Sequence, residues 1–347
     1  MVSPAAATVV EPVAPVVELV APVVELVETT GAPTTPLIHL HDDGATILAD
    51  AIATKVAGKK LSPSLVTGLE GCHVRWLASY FVIPEIIEEV PDNAAFRGGF
   101  FHKVMELFFG QAKANRTKAA MESAIVEAQR DPEFAAVVTD DTVGWLRRAV
   151  DQYYAMGARP ELVDVVELDL DGRGPKPGLE LFVTGRVGET SRDTLGFIDV
   201  VVSDPRAPGS VIIQDWKTGG RATPYNAKTG AGLAEQRQQL LYAMILESKG
   251  VPVSAARLVY PVAGQIVNVD LNNPELRSKT HETLSAADSR LSNLIDTGSY
   301  QYQPSFLCAW CPVVKICGKA EVRQVGKLKI AFDDQPEPDA LASGIKF

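Results

Sequence analysis

The chain has 347 residues, 46% hydrophobic and 22% charged, the ordinary balance of a soluble globular protein long enough for one large domain or two smaller ones. Its 33 basic residues against 43 acidic ones leave a formal charge of −10, which excludes a broad nucleic-acid-coating surface but not a narrow basic groove on an acidic body. The first residues lack a basic start and are interrupted by Pro4, Pro12 and Pro15, and no apolar run reaches membrane-spanning length, so the reading is a cytoplasmic protein with no membrane partner and with reduced cysteines.

Residues 1–41 read as a disordered low-complexity leader. The segment Ala-Pro-Val-Val-Glu-Leu-Val stands at 14–20 and again at 21–27. A seven-residue period suggests a coiled coil, but the proline in each repeat breaks a helix, leaving an extended arm or a short docking peptide. A single domain is expected over 42–332, with a flexible acidic tail at 333–347.

Within that domain a first helix is expected over 47–56. Ser62 and Pro63 then start a second, as cap and first helical position, carrying Leu65, Leu69, Cys72 and Trp76. A loop over 91–97 leads to a helix over 98–110. An alanine-rich helical lobe follows at about 111–158, broken near Asp131 and Pro132. After Pro160 the pattern turns to strands at 163–170, 181–187, 195–202 and 211–217, with 204–209 as a loop between an antiparallel pair. A helix is expected from Leu233 to Lys249, stopped by Gly250 and Pro252. Strands at 257–261 and 265–269 and a helix over 274–297 complete an α/β core at about 160–270.

The chemistry-bearing residues fall into that order. On a strand, Asp215 and Lys217 share one face and Trp216 takes the other. Asp199, on the partner strand, can lie beside Asp215. Two carboxylates and a main-chain carbonyl make a hard oxygen site suited to Mg2+ or Mn2+, with Lys217 beside it to orient or help deprotonate a water. Taken alone, Asp-x-Lys also reads as a strand-end ion pair. His102 and Glu106, four apart on a helix, share a face among Phe100, Phe101, Val104 and Phe108, either completing a metal shell or forming a surface pair. Gln238 and Tyr242, also four apart, either support the lysine and contact phosphate or form a polar stripe. The four cysteines stand one plus three: Cys72, then Cys308, Cys311 and Cys317. In a reducing compartment a metal role outranks a disulfide.

The order His102-x3-Glu106, Gly196-x2-Asp199, Asp215-x-Lys217-Thr218-Gly219, Gln238-x3-Tyr242 resembles the RecB-like branch of the PD-(D/E)XK nucleases, from about residue 62 to 318. The flanking Cys72 and Cys308-x2-Cys311-x5-Cys317 resemble its iron–sulfur members, among them CRISPR-associated exonucleases, AddAB-type nuclease domains and stand-alone phage exonucleases. The resemblance implies a restriction-endonuclease-like core, a mixed β-sheet flanked by helices, with a helical lobe and a C-terminal iron–sulfur clasp. It implies Asp199, Asp215, His102 and the Trp216 carbonyl as ligands of Mg2+ or Mn2+, and Lys217 as the catalytic lysine. Glu106 would be the acidic helix residue beside His102, and Gln238 and Tyr242 the motif that supports the lysine and contacts DNA. The four cysteines would hold a [4Fe–4S] cluster. Members often carry proline after the first cysteine; here His73 follows and offers an alternative ligand. Zinc is the competing metal, but one cysteine about 235 residues from the other three is unlike a zinc ribbon.

The activity implied is a metal-dependent DNA exonuclease acting on single-stranded DNA or duplex ends, in recombination, repair or CRISPR adaptation, with a helicase or integrase as a partner. Alternatives are a non-catalytic DNA-end-binding iron–sulfur module and a subunit of a larger recombination complex. No Gly-x4-Gly-Lys-Ser/Thr phosphate loop occurs, so the chain carries no helicase motor of its own.

Overall fold

A computed structural model describes residues 38–41, 44–47, 50–81, 94–157, 159, 162–226, 228, 231–304 and 308. Cys311, Cys317, most of the leader and the tail lie outside the described residues. All the described elements belong to one unit, Leu37–Phe347.

Two short strands, β1 (Ile38–His41) and β2 (Gly44–Ile47), precede helices α1 (Asp50–Ala57), α2 (Pro63–Glu70), α3 (His73–Phe81) and α4 (Ala94–Phe109). Helices α5 (Lys118–Ala128) and α6 (Asp140–Ala155) form the alanine-rich lobe. The strands β3 (Glu167–Leu168), β4 (Lys176–Pro177), β5 (Leu179–Gly185), β6 (Thr194–Ser203) and β7 (Val211–Trp216) follow. Helix α7 (Leu233–Ser248), strands β8 (Val253–Tyr260) and β9 (Gln265–Val269), helix α8 (Pro274–Thr297) and strand β10 (Ser299–Gln301) complete the order.

The centre is a five-stranded mixed sheet in the order β5-β6-β7-β8-β9, with β7 and β8 parallel and the other neighbours antiparallel. Every residue of β7 is buried, as expected for an inner strand with a parallel neighbour and both faces covered. One face packs on α7, α8, α2 and α3 through residues such as Ile198, Val201, Ile213, Leu240 and Leu291. The other packs on α4, α5 and α6 through Phe100, Met105, Leu146, Val200 and Trp216. This mixed sheet flanked by helices is consistent with the expected restriction-endonuclease-like α/β core.

Four sequence expectations need correction. The helix expected over 47–56 starts at Asp50, because Gly44–Ile47 pairs as a strand with both β1 and β10. Strand β1 therefore lies inside the stretch read as leader. The single helix expected from Ser62 through Trp76 is two helices. Ser62 caps α2 as expected, its Oγ accepting from the Leu65 amide at 3.1 Å, but Gly71 leaves the helical region and ends it. The break lets α3 fold back on α2, and Gly68 allows that contact, since a Cβ there would come within 2.6 Å of the Trp76 ring. The strand expected over 163–170 shrinks to Glu167–Leu168, with Val165 held by a single bridge to Val202. By contrast, the antiparallel β6–β7 pair and the bounds of α8 match the sequence reading.

Two ties bring distant parts of the chain together. Trp76 of α3 stacks on Tyr300 of β10 with ring centroids 6.2 Å apart, both side chains buried. Arg237 of α7, itself buried, makes a two-pronged bond to Glu70 at 3.0 and 2.7 Å. Trp76→Ala is expected to cost about 3–5 kcal/mol of stability through the cavity left against Tyr300, measured by chemical denaturation. A loss below about 1 kcal/mol contradicts that packing.

Candidate metal centre

The β6–β7 ladder runs from Ser203↔Val211 to Val200↔Gln214 and stops there. The next position on β6 is Asp199. Lys217 donates its amide to Val259 on β8 at 2.8 Å, so by alternation the Trp216 amide faces β6. It finds the Asp199 side chain, Oδ2 accepting from it at 2.7 Å. A carboxylate thus takes the place of a backbone acceptor, satisfying an amide that burial would otherwise leave costly.

The Trp216 carbonyl, in the next peptide group, accepts from His102 Nε2 of α4 at 2.9 Å. The indole lies on the opposite face from Lys217, stacked on Phe109 at 5.6 Å and edge-on to the His102 ring at 5.9 Å. Helix α4 comes this close to the loop after β7 partly through Gly98, where a Cβ would stand 3.2 Å from Thr218 Oγ1.

With Nε2 donating, the other nitrogen of His102 faces carboxylate oxygens: Asp199 Oδ2 at 3.5 Å and Glu180 Oε1 at 3.7 Å. Ligand atoms of His102, Glu180 and Asp199 all lie within 4.8 Å of one another. Acceptors gathered this way are satisfied by a cation between them. Ligands of one small divalent ion with bonds of about 2.1 Å lie up to about 4.2 Å apart, and the two His102 separations of 3.5 and 3.7 Å fall inside that limit. The donor set is one imidazole and two carboxylates, chemistry that fits Mg2+ or Mn2+.

Glu180 is absent from the sequence expectations. It lies on β5, whose register with β6 sets it opposite Asp199, between the pairs Leu179↔Val200 and Leu181↔Ile198. Among the described residues it is the non-glycine with positive φ, at 42°. Local strain of that kind collects at functional sites, where the surroundings hold it. No spacing motif marks the position; only the strand register does.

Behind the carboxylates, Asp215 is 1% exposed, and Lys217 Nζ meets its Oδ2 at 2.7 Å. Lys217 also donates to Gln238 Oε1 at 3.1 Å, and Gln238 Nε2 donates to the Tyr242 hydroxyl at 3.0 Å. Of the expected pair on α7, Gln238 therefore reaches the lysine and Tyr242 holds Gln238. Burial pushes the Tyr242 phenol well above its usual pKa, keeping it protonated at neutral pH. Gly196 makes room for this chain, since a Cβ there would overlap the Tyr242 ring.

Glu106 is not brought into the group. It pairs with Lys103 at 3.3 Å, which also reaches Asp131 at 3.4 Å, so the i, i+4 spacing from His102 does not make the two converge. Cys72 and Cys308 are both half-buried, and Cys72 packs against the core beside α2 and α3.

A family model described as "PD-(D/E)XK nuclease superfamily" matches residues 60–318. No curated protein is matched by the chain. A solved structure described as "Crystal structure of SSO0001" is 13% identical, over 74% of this chain and 95% of that one, with a TM-score of 0.25, a likeness too low to carry an argument.

The metal centre is testable by itself. Titration calorimetry with Mn2+ is expected to show binding that Glu180→Gln weakens by roughly tenfold or more. Equal affinity in the variant contradicts the grouping of Glu180 with His102 and Asp199.

Proposed function

The chain belongs to the PD-(D/E)XK nuclease superfamily, and from that premise we propose that it is a divalent-metal-dependent DNA exonuclease of the RecB-like branch, acting on single-stranded DNA or duplex ends. The observation that carries the reading is the convergence of Glu180, Asp199 and His102 beside an ion-paired Asp215 and Lys217. Intact carboxylates and a held lysine support a catalyst over a non-catalytic end-binding module.

Glu180, Asp199 and His102 would hold Mg2+ or Mn2+, and the resemblance implies Asp215 and the Trp216 carbonyl as further ligands. When bound, that ion would make a nearby water more acidic and offset the charge that builds on the phosphate. Lys217 would orient the attacking water and share in stabilising that charge. Gln238, bonded to both Lys217 and Tyr242, would keep the ammonium from turning away. Attack on phosphorus then breaks one phosphorus–oxygen bond of the DNA backbone.

The cysteine set is read in the same frame: Cys72, Cys308, Cys311 and Cys317 would hold a [4Fe–4S] cluster with a structural role. The Trp76–Tyr300 stack supports this, since it joins the helix after Cys72 to the strand shortly before Cys308. Such a clasp would stabilise by closing a very long loop. A helicase or integrase partner, and a place in recombination, repair or CRISPR adaptation, are implied by the same resemblance.

Two outcomes are expected. With Mg2+ or Mn2+ the protein degrades single strands or duplex ends, and Lys217→Ala slows this by about 10²-fold or more while circular dichroism shows retained fold. A wild type as inactive as the variant on both substrates sinks the catalytic reading. Protein purified without oxygen is expected to contain iron and sulfide, and Cys72→Ser to lose both together with thermal stability. Colourless protein with stoichiometric zinc contradicts the cluster.

A further inference from the structure

Two phenylalanines stand exposed one step from the metal centre. Phe182 on β5 and Phe197 on β6 are direct cross-strand partners, 45% and 53% exposed, with ring centroids 5.3 Å apart. Alternation explains their position. Leu181, Val183 and Ile198 turn to the α7 side of the sheet, so Phe182 and Phe197 take the other face. Glu180 and Asp199 lie two residues along the same strands, about 7 Å away.

We propose that Phe182 and Phe197 form a stacking platform for an unpaired base of single-stranded DNA whose neighbouring phosphate reaches the metal centre. The proposal rests on the nuclease reading and names its substrate class. Three observations select this occupant. The platform continues into the metal site along both strands and sits on the edge strand of the sheet, open to an approaching chain. A cation stands at its other end, where Lys60 Nζ donates to Thr184 Oγ1 at 3.3 Å and keeps 42% of its side chain exposed, placed to meet a backbone phosphate. Lys60 also pairs with Asp193 at 3.3 Å, so its charge is shared. The third is size. A stable protein interface needs about 800 Å² from each partner, far more than two rings supply, whereas one or two bases match them. Bases stacked within a duplex do not offer their faces this way, so the platform favours single strands.

The test is binding of a labelled oligothymidylate, read by fluorescence anisotropy in EDTA so that nothing is hydrolysed. Changing both rings, Phe182→Ala with Phe197→Ala, is expected to weaken affinity about 10- to 100-fold. The thermal midpoint should stay unchanged, because the rings are surface groups. Phe197→Trp keeps an aromatic face and should bind within threefold of wild type. An abasic strand should bind wild type as weakly as the double variant binds the intact one, and should not discriminate between the two proteins. The proposal is overturned by no measurable wild-type binding, by a folded double variant that binds within twofold of wild type, or by equal weakening on the abasic strand. It is also overturned if sedimentation shows the double substitution dissociating a dimer, because the rings then cover a second copy. Hydrolysis is measured separately with Mg2+ or Mn2+, so a protein that binds as expected but never cleaves defeats the nuclease reading and not the platform.

Discussion

One hydrogen bond organises this molecule's functional end: the Trp216 amide donated to the Asp199 carboxylate at 2.7 Å. It stands where the β6–β7 ladder has run out, between contacts on both faces of the sheet. On the α4 face the Trp216 carbonyl accepts from His102. On the α7 face Asp215 and Lys217 are paired. An inner strand whose residues are all buried can end in charged groups only if each is matched. Here the carboxylates find an amide, an ammonium and an imidazole.

Helix α7 links that end to the rest of the domain. Its Gln238 holds Lys217 from behind and is itself held by Tyr242. The adjacent Arg237 reaches in another direction to Glu70 at the end of α2, immediately before Gly71 and Cys72. Buried nearly all round, the helix has little freedom to shift one partner without the other. The lysine's support and the tie to the α2–α3 corner thus come from one buried helix.

Much of this was legible in the sequence, for identifiable reasons. That Asp215 and Lys217 meet follows from strand alternation, and that Gln238 and Tyr242 meet from helix spacing, because both are local. Gly196 is explained only by the fold, where it gives room to the Tyr242 ring. Glu180 was invisible, because its contribution depends on register with β6 and on a left-handed backbone that no motif encodes. Glu106 misled for the opposite reason: four residues on a helix put two side chains on one face, but Lys103, which it shares with Asp131, offered its carboxylate a nearer partner. The three-stranded sheet of β1, β2 and β10 escaped because it joins segments some 250 residues apart, and short strands carry almost no local signal of such pairing.

The function of this end of the sheet turns on what occupies the space between His102, Glu180 and Asp199. Crystals of the protein grown with Mn2+ and measured for anomalous scattering test it directly. The expected result is an anomalous peak within bonding distance of His102, Glu180 and Asp199, with the Trp216 amide still donated to Asp199. A Mn2+-active protein whose ion sits elsewhere, or whose density there is empty, would contradict it.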